Sequence, residues 1–373
     1  MLVGSSVTRR SFIYEKNVVV LFGGASSEHE VSRNSCLSIL KNLNEEKYNV
    51  LLVGITKKGE WYLYSGNIEN ISSNAWENDV ENKKTAFISP SAGDKGLYVF
   101  NDGKFETIHV DVIFPVLHGK NGEDGTIQGL FELAQIPYVG CDVLSSCCCM
   151  DKIFTNIVLT FAGIKKAKFA FIESYDYEKN PNKCIEHIEN QIQSYPMFVK
   201  PSNAGSSVGI SKVNNRNELI DAISLAQKHD TRILIEENII GQEVECAVLG
   251  NDELITSVVG EIAPSNEFYD YEAKYISDSK LYIPAHISEK TSNKIREIAK
   301  KAFKAMSCKG LARIDFFVQN ATNEIYLNEI NTLPGFTSIS MYPKLMKETG
   351  IPYSELIDRV INLALERFNK NEK

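Results

Sequence analysis

The sequence predicts an α/β protein in which an open, mainly parallel, Rossmann-like sheet domain precedes two α+β lobes that meet at a cleft. Three observations carry that reading. An apolar, β-branched run, Val18 to Phe22, ends at Gly23-Gly24 and leads into a helical pattern, and strands and helices alternate over the first ~145 residues. From Asp151 the strict alternation is lost. Near the C-terminus two apolar strands carry regularly spaced acids and amides, Arg313-Ile-Asp315 and Tyr326-Leu-Asn-Glu329-Ile-Asn331, and run into Thr332-Leu-Pro-Gly335.

Taken in order, Ser27 with Glu30 fits a capping box for a helix that runs through Leu43. Val50 to Thr56 and Asp111 to Leu117 read as the next strands, the second leading into His118-Gly-Lys-Asn-Gly-Glu-Asp-Gly125 and a helix from Thr126 to Ala134, then a short strand, Pro137 to Gly140. In the second half, Asp151 to Phe161, Asn182 to Gln193, Ser292 to Met306 and Tyr353 to Arg367 have helical periodicity. Lys168 to Ile172, Pro196 to Lys200, Ile210 to Val213, Ile233 to Glu236 and Glu243 to Leu249 read as strands. Asn266 to Lys280, rich in Tyr, Asp and Lys, reads as a long functional loop. The expected units are a leader over 1–16, an N-terminal substrate domain over 17–145, a central lobe over 146–240 and a C-terminal lobe over 241–373.

Composition narrows the function. A chain of 373 residues with 43% apolar and 24% charged residues is an ordinary globular protein of two or three domains. A net charge of -8 without a basic block argues against nucleic-acid binding, and no run approaches the ~18 apolar residues of a membrane span. Eight cysteines without a Cys-x-x-Cys pair suggest neither a disulfide scaffold nor a zinc site. Cys147, Cys148 and Cys149 read as small buried helix residues in a reducing, cytoplasmic protein. Gly-x-Gly-x-x-Gly is absent, which argues against a dinucleotide enzyme.

Alternate residues of a strand share a face, so Arg313 goes with Asp315 and Glu329 with Asn331. On neighbouring strands Asp315, Glu329 and Asn331 would offer three hard oxygen ligands to Mg²⁺, whose octahedron nucleotide phosphates complete. Lys200-Pro-Ser-Asn-Ala-Gly205-Ser206-Ser207-Val-Gly209 lies between two strands and is not a Walker loop, which would open a helix. As a hairpin it can fold its N–H groups over a triphosphate while Lys200 neutralises charge beneath. Ile235-Glu236-Glu237-Asn238-Ile239 could read an adenine, and Glu243 could accept from ribose hydroxyls.

The order of these parts resembles the ATP-grasp fold, in the D-alanine:D-alanine ligase family, over nearly the whole chain from about Val18 to Glu366. Gly23-Gly-Ala-Ser-Ser-Glu28-His-Glu-Val-Ser32, His118-Gly-x-x-Gly-Glu-Asp-Gly125, Met150-Asp-Lys152, Tyr269-Asp-Tyr-Glu-Ala-Lys-Tyr275 and Asn331-Thr-Leu-Pro-Gly-Phe-Thr-Ser-Ile-Ser340 carry the resemblance. It implies that Lys152, Lys200, Glu236, Glu237, Ile239 and Glu243 contact ATP, with Ser206 and Ser207 covering the phosphates. It implies that Glu28 holds the ammonium of a first D-alanine, supported by His118 and Glu123, within a hydrogen-bonded set of Glu28, Ser206 and Tyr275. Lys274 and Ser340 would bind the carboxylate of the second amino acid, and Arg313 with the Gly335 N–H would stabilise the oxyanion. Two Mg²⁺ ions, Mn²⁺ as a substitute, a homodimer and a cell-wall role follow from the same resemblance, which leaves a monovalent-cation requirement open.

The N-terminal half also resembles the D-alanine:D-serine ligases of vancomycin resistance. That branch tends to carry Phe where this chain has Tyr269 and Arg where it has Met341. An apolar Met341 offers nothing to a serine hydroxyl, so D-alanyl-D-alanine is the expected product and D-alanyl-D-serine the nearest alternative. Retention of Lys274-Tyr275 speaks against a D-lactate ligase. A non-catalytic ATP-binding module would be expected to have lost Arg313 or a metal ligand, and none is lost.

Overall fold

The computed structural model describes residues 16–263 and 280–371. Three sheets organise them. The first has seven strands: β1 (Lys16–Gly23), β2 (Tyr48–Ile55), β3 (Trp61–Tyr64), β4 (Lys83–Ile88), β5 (Gly96–Asn101), β6 (Lys104–His109) and β7 (Val112–Val116), ordered β6-β5-β4-β3-β2-β1-β7. Only β2-β1-β7 is parallel; from β3 outward the pairing is antiparallel. The sheet is therefore mixed rather than mainly parallel. Val18 to Phe22 are wholly buried, as a central strand covered on both faces requires. The four antiparallel strands escaped notice because they are short and none is buried along its whole length; β6 is exposed at five of its six positions.

The expected capping box does not form. The helix following β1 spans His29–Leu40, Glu28 stands at its N-cap without a side-chain bond, and Ser26 Oγ instead accepts from Glu28 N at 3.1 Å. Pro137 to Gly140 reduces to a single parallel bridge, Ile113 to Tyr138.

The second sheet holds β8 (Phe169–Glu173), β9 (Met197–Pro201), β10 (Ser211–Val213) and β11 (Arg232–Glu237), ordered β10-β9-β11-β8 and antiparallel. Helices Pro181–Ile192 and Arg216–Ala226 pack on it around a core that includes Ile188, Val199, Leu219 and Ile233. The third holds β12 (Gly241–Gly250), β13 (Ile255–Ala263), β14 (Lys280–Tyr282), β15 (Gly310–Gln319) and β16 (Ile325–Asn331), ordered β14-β13-β12-β15-β16. Helix Glu289–Ala305 begins three residues before the expected start because Ser288 accepts from Thr291 N as its cap. The closing helix, Tyr353–Asn371, shares a core with both the first and third sheets through Leu356, Ile357, Val360 and Ile361.

All eight cysteines are free thiols. Of the Cys147–Cys149 run only Cys149 is buried, 3.9 Å in sulfur-to-sulfur distance from Cys308; Cys148 is half-buried and Cys147 exposed, so the expectation of three buried thiols fails for two. Among the described residues no single helix is long and apolar enough to cross a membrane.

Candidate active site

A cleft of about 930 Å³ opens between the second and third sheets and reaches the C-terminal ends of β1 and β7. Each wall supplies a different chemistry.

The wall from the first sheet is acidic. Glu28 is 8% exposed and lies against the loop that follows β7. Gly119 has φ +70°, which favours glycine, and it sits so close to Glu28 that a Cβ there would fall 2.6 Å from Glu28 Oε2. The Gly119 N–H donates to Glu123 Oε2 at 2.7 Å, which brings two carboxylates to one residue. His118 is buried between sheets. Its Nδ1 faces the Leu333 carbonyl at 3.1 Å, which can only accept, so Nδ1 carries the proton and Nε2 accepts from Ser35 Oγ at 3.2 Å. Burial lowers the His118 pKa and keeps it neutral, consistent with that tautomer. Ser35 in turn accepts from Phe336 N, so the network fixes both ends of the 333–336 loop.

Burial, reinforced by the Glu28 charge, pushes the Glu123 carboxyl up to about 8. A carboxyl raised in the folded state contributes stability that is present below its ordinary value of 4.5 and declines as pH rises towards 8. Glu123→Gln should therefore gain melting temperature relative to the parent chain as pH goes from 4.5 to 8. A difference in melting temperature that does not change over this interval would contradict the assignment.

The central wall carries the cations. The glycine- and serine-rich hairpin is formed by β9 and β10, and the long loop between Pro201 and Ser211 passes through Ser206 and Ser207, both with positive φ (52° and 60°). Lys152 donates to the Ala204 carbonyl at its base. Lys200 pairs with Glu236 at 2.7 Å, and Asn156 Nδ2 donates to the other Glu236 oxygen at 2.8 Å. Burial alone would raise Glu236, but Lys200 and Lys166 hold it down to about 2, while Glu236 raises Lys200 against its own burial. Glu236 is thus the internal counter-ion of Lys200. Glu237 accepts from Lys168 N at 2.8 Å, whereas Ile239 and Glu243 line the cleft beside it. Lys166 was not foreseen; it donates to the Asn328 carbonyl, linking this wall to β16.

On the third wall the register of β15 and β16 sets Arg313 opposite Asn331 and Asp315 opposite Glu329. Arg313 grips Asp315 in a two-pronged pair, Nε to Oδ1 at 2.8 Å and Nη2 to Oδ2 at 2.7 Å, and Asn331 Nδ2 donates to Oδ2 at 2.9 Å. Arg313, Glu329 and Asn331 line the cleft, but Asp315, 2% exposed, lies beneath them and does not. Among the described residues no group of three or more His, Cys, Asp or Glu side chains is disposed to hold a metal by itself. The donor set of two carboxylates and one amide fits a hard cation whose shell phosphate oxygens complete. Gly335 approaches Ser340 so closely that a Cβ would meet Ser340 Oγ at 2.8 Å, and Ser340 accepts from Thr337 N at 3.0 Å. Met341 reaches the cleft but is 6% exposed and packs in the core, its Sδ 3.0 Å from where a Gly260 Cβ would stand. Among the described residues Ser206 makes no bond to Glu28, and Tyr269, Lys274 and Tyr275 lie outside them.

Glu245 was the other residue overlooked; it is buried beside Arg313, 3.0 Å from Nε. Its spacing from Glu243 within one strand was the available signal, since Glu243-Val-Glu245 puts both acids on one face.

Known proteins bear on this site. The family description "D-ala D-ala ligase N-terminus" matches residues 17–141 and "D-ala D-ala ligase C-terminus" matches 158–362. A D-alanine–D-alanine ligase of Acetivibrio thermocellus is 52% identical over 96% of this chain and 98% of its own length, and one of Caldicellulosiruptor bescii is 51% identical over 95% and 96%. Among solved structures, the VanG D-Ala:D-Ser ligase from Enterococcus faecalis superposes with a TM-score of 0.86 at 45% identity over 94% of this chain and 99% of that one. The D-alanine-D-alanine ligase from Coxiella burnetii gives 0.82 at 34% over 96% and 97%.

Proposed function

The chain belongs to the D-alanine–D-alanine ligase family, and on that premise we propose that its cleft activates one D-alanine with ATP and joins it to a second, for cell-wall precursor synthesis. The observation that carries the assignment is Arg313, held by Asp315 on the same wall as Gly335 and Ser340, facing the Glu28 and Lys200 walls across one cleft.

A carboxylate is a poor acyl donor, so the first D-alanine is activated as its acyl phosphate, with ATP leaving as ADP. Lys152 and Lys200 neutralise the transferred phosphoryl group, a role supported by their lining the same cleft as Ser206 and Ser207. Glu28 takes the ammonium of the first D-alanine, with Glu123 beside it. The amine of the second D-alanine then attacks the acyl carbon. Arg313 and the Gly335 N–H face the oxygen on which charge develops, and phosphate departs. Ser340, at the start of helix Met341–Glu348, receives the second carboxylate. Asp315, Glu329 and Asn331 would hold Mg²⁺, which supplies charge neutralisation on the phosphates when bound. The second Mg²⁺, Lys274, Tyr269, Tyr275, a homodimer and a cytoplasmic site of action are parts of this proposal that rest on the family resemblance alone.

The superposition on the VanG ligase favours one second reading, preference for D-serine as the second amino acid. Burial of Met341 supports the first reading, because an apolar side chain packed on Gly260 leaves a serine hydroxyl without a partner from that position. The test is competition: equal D-alanine and D-serine with ATP and Mg²⁺, products resolved by mass. D-alanyl-D-alanine should dominate, and a predominance of D-alanyl-D-serine would establish the other specificity.

A further inference from the structure

Three carboxylates stand in one row on the third sheet. The β12–β15 register sets Glu245 opposite Asp315, and the β15–β16 register sets Asp315 opposite Glu329. Glu245 and Asp315 are each 2% exposed. Arg313, two residues before Asp315 on the same strand face, lies within reach of both.

The hydrogen bonds are unequally divided. A guanidinium Nε carries a single proton. Arg313 gives that proton to Asp315 Oδ1 at 2.8 Å, yet Glu245 Oε2 lies only 3.0 Å from the same nitrogen. Asp315 Oδ2 accepts from both Arg313 Nη2 and Asn331 Nδ2. Three of the roughly four lone-pair sites of the Asp315 carboxylate are therefore taken, two of them by Arg313, and a cation drawn to Asp315 competes with that guanidinium for it. The displaced guanidinium cannot be left unpaired in a buried wall, where an uncompensated charge is strongly unfavourable.

We propose that Glu245 is a positioning residue that receives the Arg313 guanidinium when Asp315 turns to the metal, so that arginine stays at the acyl-transfer end of the cleft throughout. This rests on the metal reading given above. The move is small, because the new acceptor already lies at hydrogen-bond distance from the Nε that must change partners. A guanidinium keeps its charge at any working pH, so the arginine is a cation whichever carboxylate it grips.

The test is a thermodynamic cycle on the full chain, read as Mn²⁺ affinity in the presence of ADP by the electron-spin-resonance signal of free Mn²⁺. Glu245→Gln should raise the Mn²⁺ Kd by roughly tenfold, because Gln cannot take the cation and the metal must compete with Arg313 for Asp315. In an Arg313→Met background the same change should alter Kd by less than about twofold, since no guanidinium needs a new partner. An equal factor in both backgrounds would overturn the proposal, showing that Glu245 acts as a plain negative charge or a ligand; so would an unchanged Kd in the parent. Should Glu245→Gln not fold, Glu245→Asp keeps the charge but withdraws its reach, and the same two patterns decide. Asp315→Asn in the same titration reports on the metal reading separately: retained Mn²⁺ affinity there removes that reading, whereas lost affinity leaves it standing whatever the cycle shows.

Discussion

Glu329→Gln is expected to lower kcat for dipeptide formation by on the order of a thousandfold while leaving the fold in place. Gln keeps the size and one oxygen of Glu but not its charge, and Glu329 is a half-buried strand residue at the cleft rather than part of the apolar core behind it. The loss should fall on the chemical step, with little change in the D-alanine KM, because Glu329 stands on the wall assigned to the metal and phosphates and not beside Glu28. Circular dichroism and the melting temperature, measured beside kcat, separate the two roles: full activity refutes the metal assignment, and a collapse of structure shows that Glu329 is architectural.

Lys200→Met should act on both stability and nucleotide binding. The ammonium and Glu236 form a pair whose side chains are 16% and 8% exposed. Removing one member of such a pair leaves a buried charge and costs about 3–5 kcal/mol. Because Lys200 and Lys166 hold the Glu236 carboxyl down at about 2, below its ordinary 4.5, the pair's contribution is present above pH 4.5 and is lost as pH falls towards 2. The stability gap between Lys200→Met and the parent should accordingly narrow in acid. Adding Glu236→Leu to Lys200→Met should restore much of the stability, by filling the site with apolar volume, yet leave the ATP KM raised. Recovery of ATP affinity in the double variant would show that Lys200 serves the fold and not the phosphates.

What could be seen in advance depended on whether one strand or several carried the signal. β1 was legible because its five apolar residues are buried on both faces, and β15 and β16 because their acids recur at strand spacing. The β9–β10 hairpin was legible from its glycines and serines between two apolar runs, and the two strands pair as expected. The β3–β6 extension was not, since its strands alternate weakly and pair only with one another and β2. Partnerships across sheets were hidden for a different reason: Glu236 reads as a strand-end acid until Asn156, on a helix 80 residues earlier in the chain, is seen to donate to it. The same holds for His118, whose carbonyl partner Leu333 is 215 residues away. The Ser27–Glu30 pattern misled because the turn after Gly24 sends Glu28 into the cleft, and the helix start gives up its side-chain cap.

The most direct measurement of the central claim uses D-alanine labelled with ¹⁸O in its carboxylate, incubated with ATP, Mg²⁺ and the full chain, with phosphate and amino-acid products weighed by mass spectrometry. Ligation through an acyl phosphate transfers one carboxylate oxygen to phosphate, so D-alanyl-D-alanine should appear together with phosphate carrying a single ¹⁸O. Phosphate released without label, or ATP consumed without formation of the dipeptide, would contradict the account.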